Sequence, residues 1–388
     1  MSLALCLALA VAPAHAPPNH DGGRVALAPA PQLHWNPLGL FEPYLPGCSR
    51  LRRVDGGLVA FADFNRYELT DLEKGTASWE RRDASEPRIQ DLVCWRGEKV
   101  RLLVECDEKL TVEAFHEDAW VPLQGSPSNP EISRDAITVG AGGYPLIAAD
   151  GEHLVVLTGT TLYSYESGDW RSIELGFLDG EYAAPASRLL LDGATLYVGT
   201  DKGEWGGALY GLDIDTREVS VVSAPWSDGD SNVADLDRGP DGRIWATIGC
   251  VHMNGFGELY VLERGAWRCV ARAEDLAETA GHDWSEWPEV MASANRVGEL
   301  PWRFPRSGFT ALDFDDRGRP YLLTETFGVF RGEADGSWTW ITRGWPTFQA
   351  CVTDLAIVGE RAAITSRFAG VVIVDLDTLE ARRVRFDY

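Results

Sequence analysis

The sequence predicts an all-β fold, a seven-bladed β-propeller built from four-stranded antiparallel blades. Three observations lead to this prediction. A unit of four short apolar segments separated by polar turns recurs seven times. Its turns lie about 40 to 55 residues apart over most of the chain, and a tryptophan marks the fourth segment in five units. Four strands in some 40 residues is the period of a propeller blade, because one such sheet buries its faces only against neighbouring blades.

The turn into the second strand is the best-marked element of each unit. It stands at Asp192-Gly193 before the segment 196–200, and at Asp241-Gly242 before the segment 244–247. The β-branched and aromatic residues after these turns favour strands. Equivalent turns lie near Asp55, Arg96, Asp150, Arg317 and Val358, and third strands are predicted around Leu69, Leu110, Leu162, Leu209, Leu259, Val329 and Val371.

Tryptophans mark the outer part of the predicted blades. A large ring at one fixed position per blade fills the outer wedge between neighbouring sheets, so we expect a structural role for these side chains. An α-solenoid would need a 3.6-residue periodicity that the segments lack, and a β-sandwich would not need a repeated phrase at this period. Trp245, in a second strand, is expected in the core, and the five fourth-strand residues are Trp79, Trp120, Trp170, Trp267 and Trp338.

The N-terminal residues predict export. Residues 1–16 contain an apolar run of about eleven residues followed by small residues, which is typical of a secretory signal peptide. No Lys or Arg precedes the run, which leaves a wrongly chosen start codon or a merely apolar lead-in as the alternative. Residues 17–47 are rich in Pro, Ala and Gly and are predicted to form an extended leader. We therefore expect a secreted or periplasmic protein.

The propeller is assigned to residues 48–388, with an insertion at 271–307. The segment 274–278 favours a short helix, and His282 and several tryptophans follow it. By its place in the repeat, the insertion lies on the loop-rich face of the propeller, where we expect it to cap the central channel. In the alternative interpretation, its aromatic residues only anchor it to the blades.

Charge and cysteine content limit the classes of partner. Lys and Arg number 35 and Asp and Glu 59, a net charge of −24, which would repel nucleic-acid phosphates, so nucleic acid is not expected as a partner. No apolar run approaches the roughly 20 residues that span a bilayer, so we expect no transmembrane segment. The cysteines after the predicted signal peptide fit either disulfides or buried free thiols: Cys48, Cys94, Cys106, Cys250, Cys269 and Cys351.

Two repeats carry a resemblance to a known family. The phrases at 239–245 with 257–262, and at 196–200 with 208–213, resemble two-component-regulator propeller repeats, which occur in ligand-binding sensors ahead of a membrane helix and a histidine kinase. The resemblance covers roughly residues 48 to 388 and implies a sensor-like propeller that binds a ligand. The chain has no segment that resembles a kinase module, so the resemblance does not imply a direct signalling output.

Function is expected on one face of the propeller. The loops between second and third strands share a face with the loops that lead into first strands, around the mouth of the channel. The loop 201–207 combines flanking glycines with Asp201, Glu204 and Trp205. We expect Trp205 to stack on a ligand while Glu204 accepts hydrogen bonds; the alternative is a tryptophan that packs on the neighbouring loop.

A second loop, 249–255, brings together Cys250, His252 and Asn254. His252 is a candidate general base, metal ligand or recognition residue, and the alternative is a structurally satisfied histidine. In the last two units, Glu325 and Arg367 occupy equivalent loops and are expected to pair or to clamp a polar ligand.

Two main functions are compatible with these residues. The first is an exported, non-catalytic binding module for a small molecule, a glycan or a protein; its oligomeric state stays open. The alternative is a metal-dependent hydrolase or lyase of the lactonase or streptogramin-lyase type, with a divalent cation (Ca²⁺ or Mg²⁺) at the channel mouth and His252 as base. The segment 227–232 has alternating oxygen-bearing side chains, which such cations prefer. The alternative interpretation of this segment is a solvated turn. A third possibility is an assembly role in which the acidic surface meets a basic partner.

The blade register predicts where a protease will cut first. Limited proteolysis of the folded protein should cleave within 271–307 before it cleaves any second or third strand, because the insertion is not part of a sheet. Mass spectrometry of the early fragments checks this. An early cut inside a predicted second strand would contradict the register.

Overall fold

The computed structural model describes residues 50–386 except for 55–56, 63–64, 74–75, 80–87, 105–109, 124–144, 179–183, 203–205, 223–231, 251–255, 280–307, 326–327, 343–351 and 367–369. Within this part of the chain, the strands form seven sheets, each with four consecutive antiparallel strands. The predicted seven-bladed β-propeller is therefore confirmed.

The first four blades follow one another along the chain. Each begins with its innermost strand and ends with its outermost strand. Their strands are β1 (Arg50–Val54), β2 (Gly57–Ala62), β3 (Asn65–Asp71) and β4 (Thr76–Trp79) in blade 1; β5 (Arg88–Trp95), β6 (Glu98–Val104), β7 (Leu110–His116) and β8 (Ala119–Pro122) in blade 2; β9 (Leu146–Ala149), β10 (Leu154–Thr158), β11 (Thr161–Glu166) and β12 (Asp169–Glu174) in blade 3; and β13 (Ala186–Asp192), β14 (Thr195–Thr200), β15 (Leu209–Asp213) and β16 (Val219–Val221) in blade 4.

The last three blades have the same order. Their strands are β17 (Val233–Arg238), β18 (Ile244–Cys250), β19 (Phe256–Glu263) and β20 (Ala266–Arg272) in blade 5; β21 (Phe309–Phe314), β22 (Pro320–Thr324), β23 (Gly328–Gly332) and β24 (Trp338–Trp340) in blade 6; and β25 (Val352–Val358), β26 (Arg361–Ser366), β27 (Gly370–Asp375) and β28 (Ala381–Arg383) in blade 7. A final strand, β29 (Arg385–Phe386), and a helix, α1 (Ala273–Thr279), complete the described elements, together with a 3-10 turn at Gly176–Leu178.

Burial changes from the middle of a blade to its outer edge. All five residues of β10 are buried, whereas all three of β16 are exposed. A second strand has neighbours on both edges and neighbouring blades on both faces, so it tolerates a continuous run of apolar side chains. An outermost strand packs only in part and remains polar.

The seven blades form a closed ring. The first strand of each blade contacts the first strand of the next, including β25 of blade 7 against β1 of blade 1. The buried side chains form seven hydrophobic clusters, each shared by two neighbouring blades. The core is therefore a set of blade–blade interfaces, as the repeat predicts.

The C-terminal strand joins the last blade to the first. After β28, Val384 is buried in the cluster between blades 7 and 1. β29 then pairs in parallel with β4, at the outer edge of blade 1. Hydrogen bonds between the two ends of the propeller thus add to the apolar contacts that close the ring. The sequence left open whether residues 24–27 supply such a strand, and these lie outside the described residues.

The tryptophans occupy the predicted strands. Trp120 and Trp170 pack against aromatic rings of the adjacent third strands, with centroids 5.1 Å from Phe115 and 5.0 Å from Tyr165. Trp245 is buried and contacts Phe314 of blade 6 edge-on. These tryptophans contact other aromatic side chains of the propeller, as expected for a structural role.

The insertion begins two residues later than the sequence indicated, since β20 continues to Arg272. α1 follows directly, with Glu274 and Asp275 in its first turn, where acidic residues favour a helix start. Ala273 and Leu276 are buried in the cluster between blades 5 and 6. The remainder, 280–307, lies outside the described residues, so its capping role stays a prediction. No helix of the described residues is long and apolar enough to cross a membrane.

Ring closure also requires close backbone contact between blades. A Cβ atom on Gly249 would lie 2.6 Å from both the N and O atoms of Phe309, whereas one on Gly151 would have no neighbour within 4 Å. Because a backbone cannot yield as a side chain can, Gly249→Ala should lower the free energy of unfolding by roughly 1–3 kcal/mol. Gly151→Ala, the matched control, should change it by less than about 0.5 kcal/mol. Chemical denaturation checks both; equal effects would contradict this packing.

Candidate functional site

The first strands converge at the centre of the ring, where each leaves one backbone edge unpaired within its sheet. In five blades this strand contains a β-bulge near its start, at residues 89–91, 186–188, 233–235, 309–311 and 352–354. A bulge re-aims the side chain beside it. We call the residue that follows the extra one the bulge position: Asp91, Arg188, Asp235, Ala311 and Asp354 in blades 2, 4, 5, 6 and 7.

The aspartates at the bulge position bind backbone N–H groups. Asp91, Asp235 and Asp354 each accept the N–H of the following leucine, at 2.9, 3.0 and 3.0 Å. The second oxygen of two of them reaches the next blade. Asp235 Oδ2 accepts the N–H of Leu312 at 3.0 Å, and Asp354 Oδ2 accepts the N–H of Leu51 at 2.8 Å. These carboxylates therefore satisfy the inner backbone edges and connect neighbouring blades.

Arginines pair with two of these carboxylates, Asp91 and Asp235. Asp91 is fully buried and lies 2.8 Å from Arg52 Nε and 3.1 Å from Arg50 Nη1. Burial alone would raise the pKa of Asp91, but the two guanidinium groups and the N–H of Leu92 hold that pKa below its ordinary value. Arg188 Nε lies 2.9 Å from Asp235 Oδ1 in the same way.

A further ion pair connects blade 1 to blade 6. Arg53 of blade 1 pairs with Asp313 of blade 6 and also donates to the carbonyl of Ile357 in blade 7. Asp313 accepts the N–H of Ile357. Burial raises the pKa of Asp313 to about 6, although Arg53 and the backbone N–H groups oppose the shift.

Asp237 has no arginine partner among the described residues, and the same holds for Asp354 of blade 7, whose pKa is also raised by burial. Asp237 lies two residues after Asp235 in β17 and accepts the N–H of Arg238 at 2.7 Å. Within the described part of the chain, no Arg, Lys or His forms an ion pair with it. Burial raises the pKa of Asp237 well above its ordinary value, and the nearby carboxylates Asp313 and Asp235 raise it further. The backbone N–H of Arg238 and the charge of Arg53 oppose this only in part.

A cavity of about 220 Å³ lies in the channel beside these groups. Its charged lining residues are Arg52, Asp91, Arg188, Asp235 and Asp237. Leu146–Ala149 of blade 3 and Ser187–Leu191 of blade 4 also line it, and blade 3 contributes no charged side chain. We call this space the channel cavity. A small cavity with a few convergent charged groups is typical of small-molecule sites.

The structure describes the first part of the predicted loop 201–207. The N–H of Asp201 donates to Pro185 O at 3.0 Å, and the N–H of Lys202 donates to Gly206 O at 2.9 Å. Lys202 N also lies 3.2 Å from Oδ1 of Asn232, a buried residue at the start of blade 5. Asn232 therefore anchors this loop. The Oδ1 atom of Asn232, one of the oxygens in the segment 227–232 that resembles a cation-binding loop, thus accepts a backbone hydrogen bond.

Glu325 follows β22, and its N–H donates to Gly308 O at 3.0 Å. The loops of Asp201 and Glu325 both connect a second strand to a third strand, so both lie at the same end of the ring, on blades 4 and 6. Blade 5 separates them, and the structure does not bring them into contact. The other predicted site residues lie outside the described residues: Glu204, Trp205, His252, Asn254 and Arg367.

The charged side chains of the first strands were not predicted from the sequence. A signal for them exists in the phrase apolar–x–Asp–Leu, at 89–92, 233–236 and 352–355. Blade 4 has Arg188 before a leucine at the same position. Among the described residues, no group of three or more His, Cys, Asp or Glu side chains is arranged to hold a metal ion. Cys94 and Cys269 are free thiols.

Comparison with solved structures supports the β-propeller fold. No family model and no curated protein matches the sequence. The extracellular domain of BT4673 from B. thetaiotaomicron, described as a hybrid two-component system, superposes with a TM-score of 0.53 at 12% identity; the match covers 85% of this chain and 38% of that one. This agrees with the resemblance to sensor-type propeller repeats. The chain thus spans about two fifths of that protein.

Other solved propellers are similar to the same degree. YCF48 bound to D1 peptide matches with a TM-score of 0.51 at 15% identity, over 89% of this chain and 97% of its own. The GH74 enzyme of Niastella koreensis gives a TM-score of 0.56 at 12% identity, over 86% and 52%. At such identities the likeness establishes the β-propeller fold alone.

Two aspartates of the channel should respond oppositely to loss of charge. The folded-state pKa of Asp237 lies above its unfolded value, so stability falls as the pH rises through the folded-state pKa. Asp237→Asn keeps an oxygen that can accept the N–H of Arg238. Because asparagine does not ionise, the variant should not lose stability in this way as the pH rises. At pH 7.5 it should raise the free energy of unfolding by roughly 1–3 kcal/mol and weaken its pH dependence.

Asp91→Asn is the matched comparison. The folded-state pKa of Asp91 is lowered, so its stabilisation is present above the unfolded pKa and is lost as the pH falls. The substitution leaves two arginines facing a neutral amide and should lower the free energy of unfolding by roughly 3–5 kcal/mol. Denaturation of both variants between pH 5 and 8 measures the contrast. A destabilised Asp237→Asn variant would contradict the assignment of Asp237 as an uncompensated charge.

Proposed function

We propose that the protein is an exported, non-catalytic β-propeller that binds a small polar molecule in its channel, with the ligand entering from the end that carries the loops of Asp201 and Glu325. The observation that carries this proposal is the channel cavity, whose lining includes a carboxylate, Asp237, without an arginine partner among the described residues. A cavity of about 220 Å³ suits a metabolite-sized ligand better than a glycan chain or a folded partner.

Two further observations support binding rather than catalysis. The carboxylates of Asp91 and Asp235 are already occupied by arginines and backbone N–H groups. A group of this kind is poorly suited to act as an acid or base, because its protons and lone pairs are committed. The similarity to the extracellular domain of BT4673 agrees with a sensor-type role, and we propose the same class of role for this chain.

A thermal-shift panel tests the proposed function. Neutral monosaccharides, sugar acids, amino acids and small amines are added singly to the purified protein, with and without EDTA. At least one class should raise the melting temperature, because ligand binding to the folded state stabilises it. The shift should persist in EDTA, and mass spectrometry should recover the compound unchanged. A shift lost in EDTA together with conversion of the compound would instead favour the metal-dependent hydrolase or lyase, and a panel without any shift would contradict a small-molecule module.

The loop face is tested by substitution. Asp201→Ala and Glu325→Ala should weaken the response to the active compound by about threefold to tenfold, since each removes a polar group from the proposed entrance. Asp215→Ala is the control, because this exposed acid lies in the turn between β15 and β16, at the opposite end of blade 4. Equal effects of all three variants would show that only the total charge matters and would overturn the assignment of this face.

A further inference from the structure

We infer that the channel cavity binds a small organic cation, an amine no larger than a single ring with a short side chain, whose ammonium group pairs with Asp237. This inference rests on the proposed function, because it names the ligand class of the same channel.

The charge of the cavity lining is the first argument. The lining contains two arginines, Arg52 and Arg188, and three aspartates, so its formal charge is 2 − 3 = −1. Each arginine is bound to its own carboxylate, Arg52 to Asp91 at 2.8 Å and Arg188 to Asp235 at 2.9 Å. Arg50, which does not line the cavity, also pairs with Asp91 at 3.1 Å. Among the lining carboxylates, Asp237 is the one without an arginine ion pair within the described part of the chain. A cation in the cavity would balance the lining, whereas an anion would double the imbalance.

The arginines closest to Asp237 are engaged elsewhere. Arg53 pairs with Asp313 and donates to the carbonyl of Ile357. The guanidinium of Arg238 donates to Leu191 O at 2.7 Å and pairs with an oxygen of Asp192 at 2.8 Å. Both are thereby held by other acceptors. A positively charged group from outside the chain would compensate the ionised carboxylate of Asp237.

The volume of the cavity limits the size of the ligand. Leu146–Ala149 add no charge to the lining, and their side chains pack in the clusters that blade 3 shares with blades 2 and 4. A cavity of about 150 Å³ can hold benzene, so the channel cavity, at about 220 Å³, has space for a single ring or a short aliphatic chain. An ion pair inside the protein is strengthened by the low local polarity.

A divalent metal ion fits the same residues less well. Ca²⁺ takes six to eight oxygen ligands, and Mg²⁺ requires octahedral coordination. Asp235 already accepts the N–H groups of Leu236 and Leu312 and pairs with Arg188, and Asp91 is bound by two arginines. Asp237 is therefore the lining carboxylate whose oxygens are best placed to bind a cation. One carboxylate suffices for an ammonium group, which needs a single strong acceptor.

Benzylammonium is the probe, with benzyl alcohol as its neutral analogue of similar shape and benzoate as the anion. Each is titrated into the full chain at pH 7.5 by isothermal calorimetry. Benzylammonium should bind saturably at one site in the millimolar range or tighter. Benzyl alcohol and benzoate should bind at least about tenfold more weakly, since neither pairs with a carboxylate.

Asp237→Asn should weaken benzylammonium binding by at least about tenfold while it leaves the protein folded, as its melting temperature shows. Asp215→Asn, which removes a charge at the far end of blade 4, should bind like the unmodified protein. The inference is overturned if Asp237→Asn binds benzylammonium normally, if benzyl alcohol binds as tightly as benzylammonium, or if benzylammonium does not saturate.

The pH dependence of binding is a second readout that needs no variant. The groups facing Asp237 are Asp235 on its own strand, Asp313 of blade 6 and Arg53 of blade 1. The amine stays protonated to well above neutral pH, so affinity should rise as the pH passes upward through the raised pKa of Asp237. An affinity that falls as Asp237 ionises would contradict the pairing. If a sugar or sugar acid stabilises the protein but benzylammonium does not bind, only this inference fails; a thermal-shift panel without any response removes the proposed function as well.

Discussion

The backbone edges at the centre of the ring are the constraint on which the structure depends. Seven first strands meet there, and each has one edge with no partner in its own sheet. Unpaired buried backbone groups are costly, and open strand edges invite wrong pairing. This chain meets the requirement with side chains: Asp235 and Asp354 bind N–H groups of their own blade and of the next one. The same carboxylates therefore hold the blades together and place charge in the channel.

Charge is distributed unequally around the ring, and we propose that this creates a binding site. Blade 3 supplies four uncharged residues to the channel cavity, whereas blades 1, 2, 4 and 5 supply arginines and aspartates. Arg52 and Arg188 each have a carboxylate, so Asp237 is the lining carboxylate that no arginine compensates among the described residues. A charge that reduces stability is expected at a functional position, where its cost is accepted for binding. In this proposal, one arrangement of charges determines both the stability of the propeller and the specificity of its channel.

The sequence was sufficient for the fold but only in part for the site. Turns such as Asp192-Gly193 and the fourth-strand tryptophans are local signals repeated in each blade, so strand order and register follow from them. The role of Asp237 depends on distances between strands of different blades, because Arg53 and Arg238 are near it in space yet held by other acceptors. Such competition for partners is not visible in a single strand. Loop residues such as Asp201 were selected because their chemistry stands out locally, and their role in binding stays a prediction.

The carboxyl pKa of Asp237, measured by NMR titration of the ¹³C-labelled protein and assigned with Asp237→Asn, tests the central claim most directly. The account predicts a pKa clearly above the ordinary value of 3.8, while Asp91 in the same spectra titrates below it. The difference follows from the arginine partners that one aspartate has and the other does not. A pKa of Asp237 at or below the ordinary value would contradict the account, because it would mean that the charge of Asp237 is already compensated within the chain.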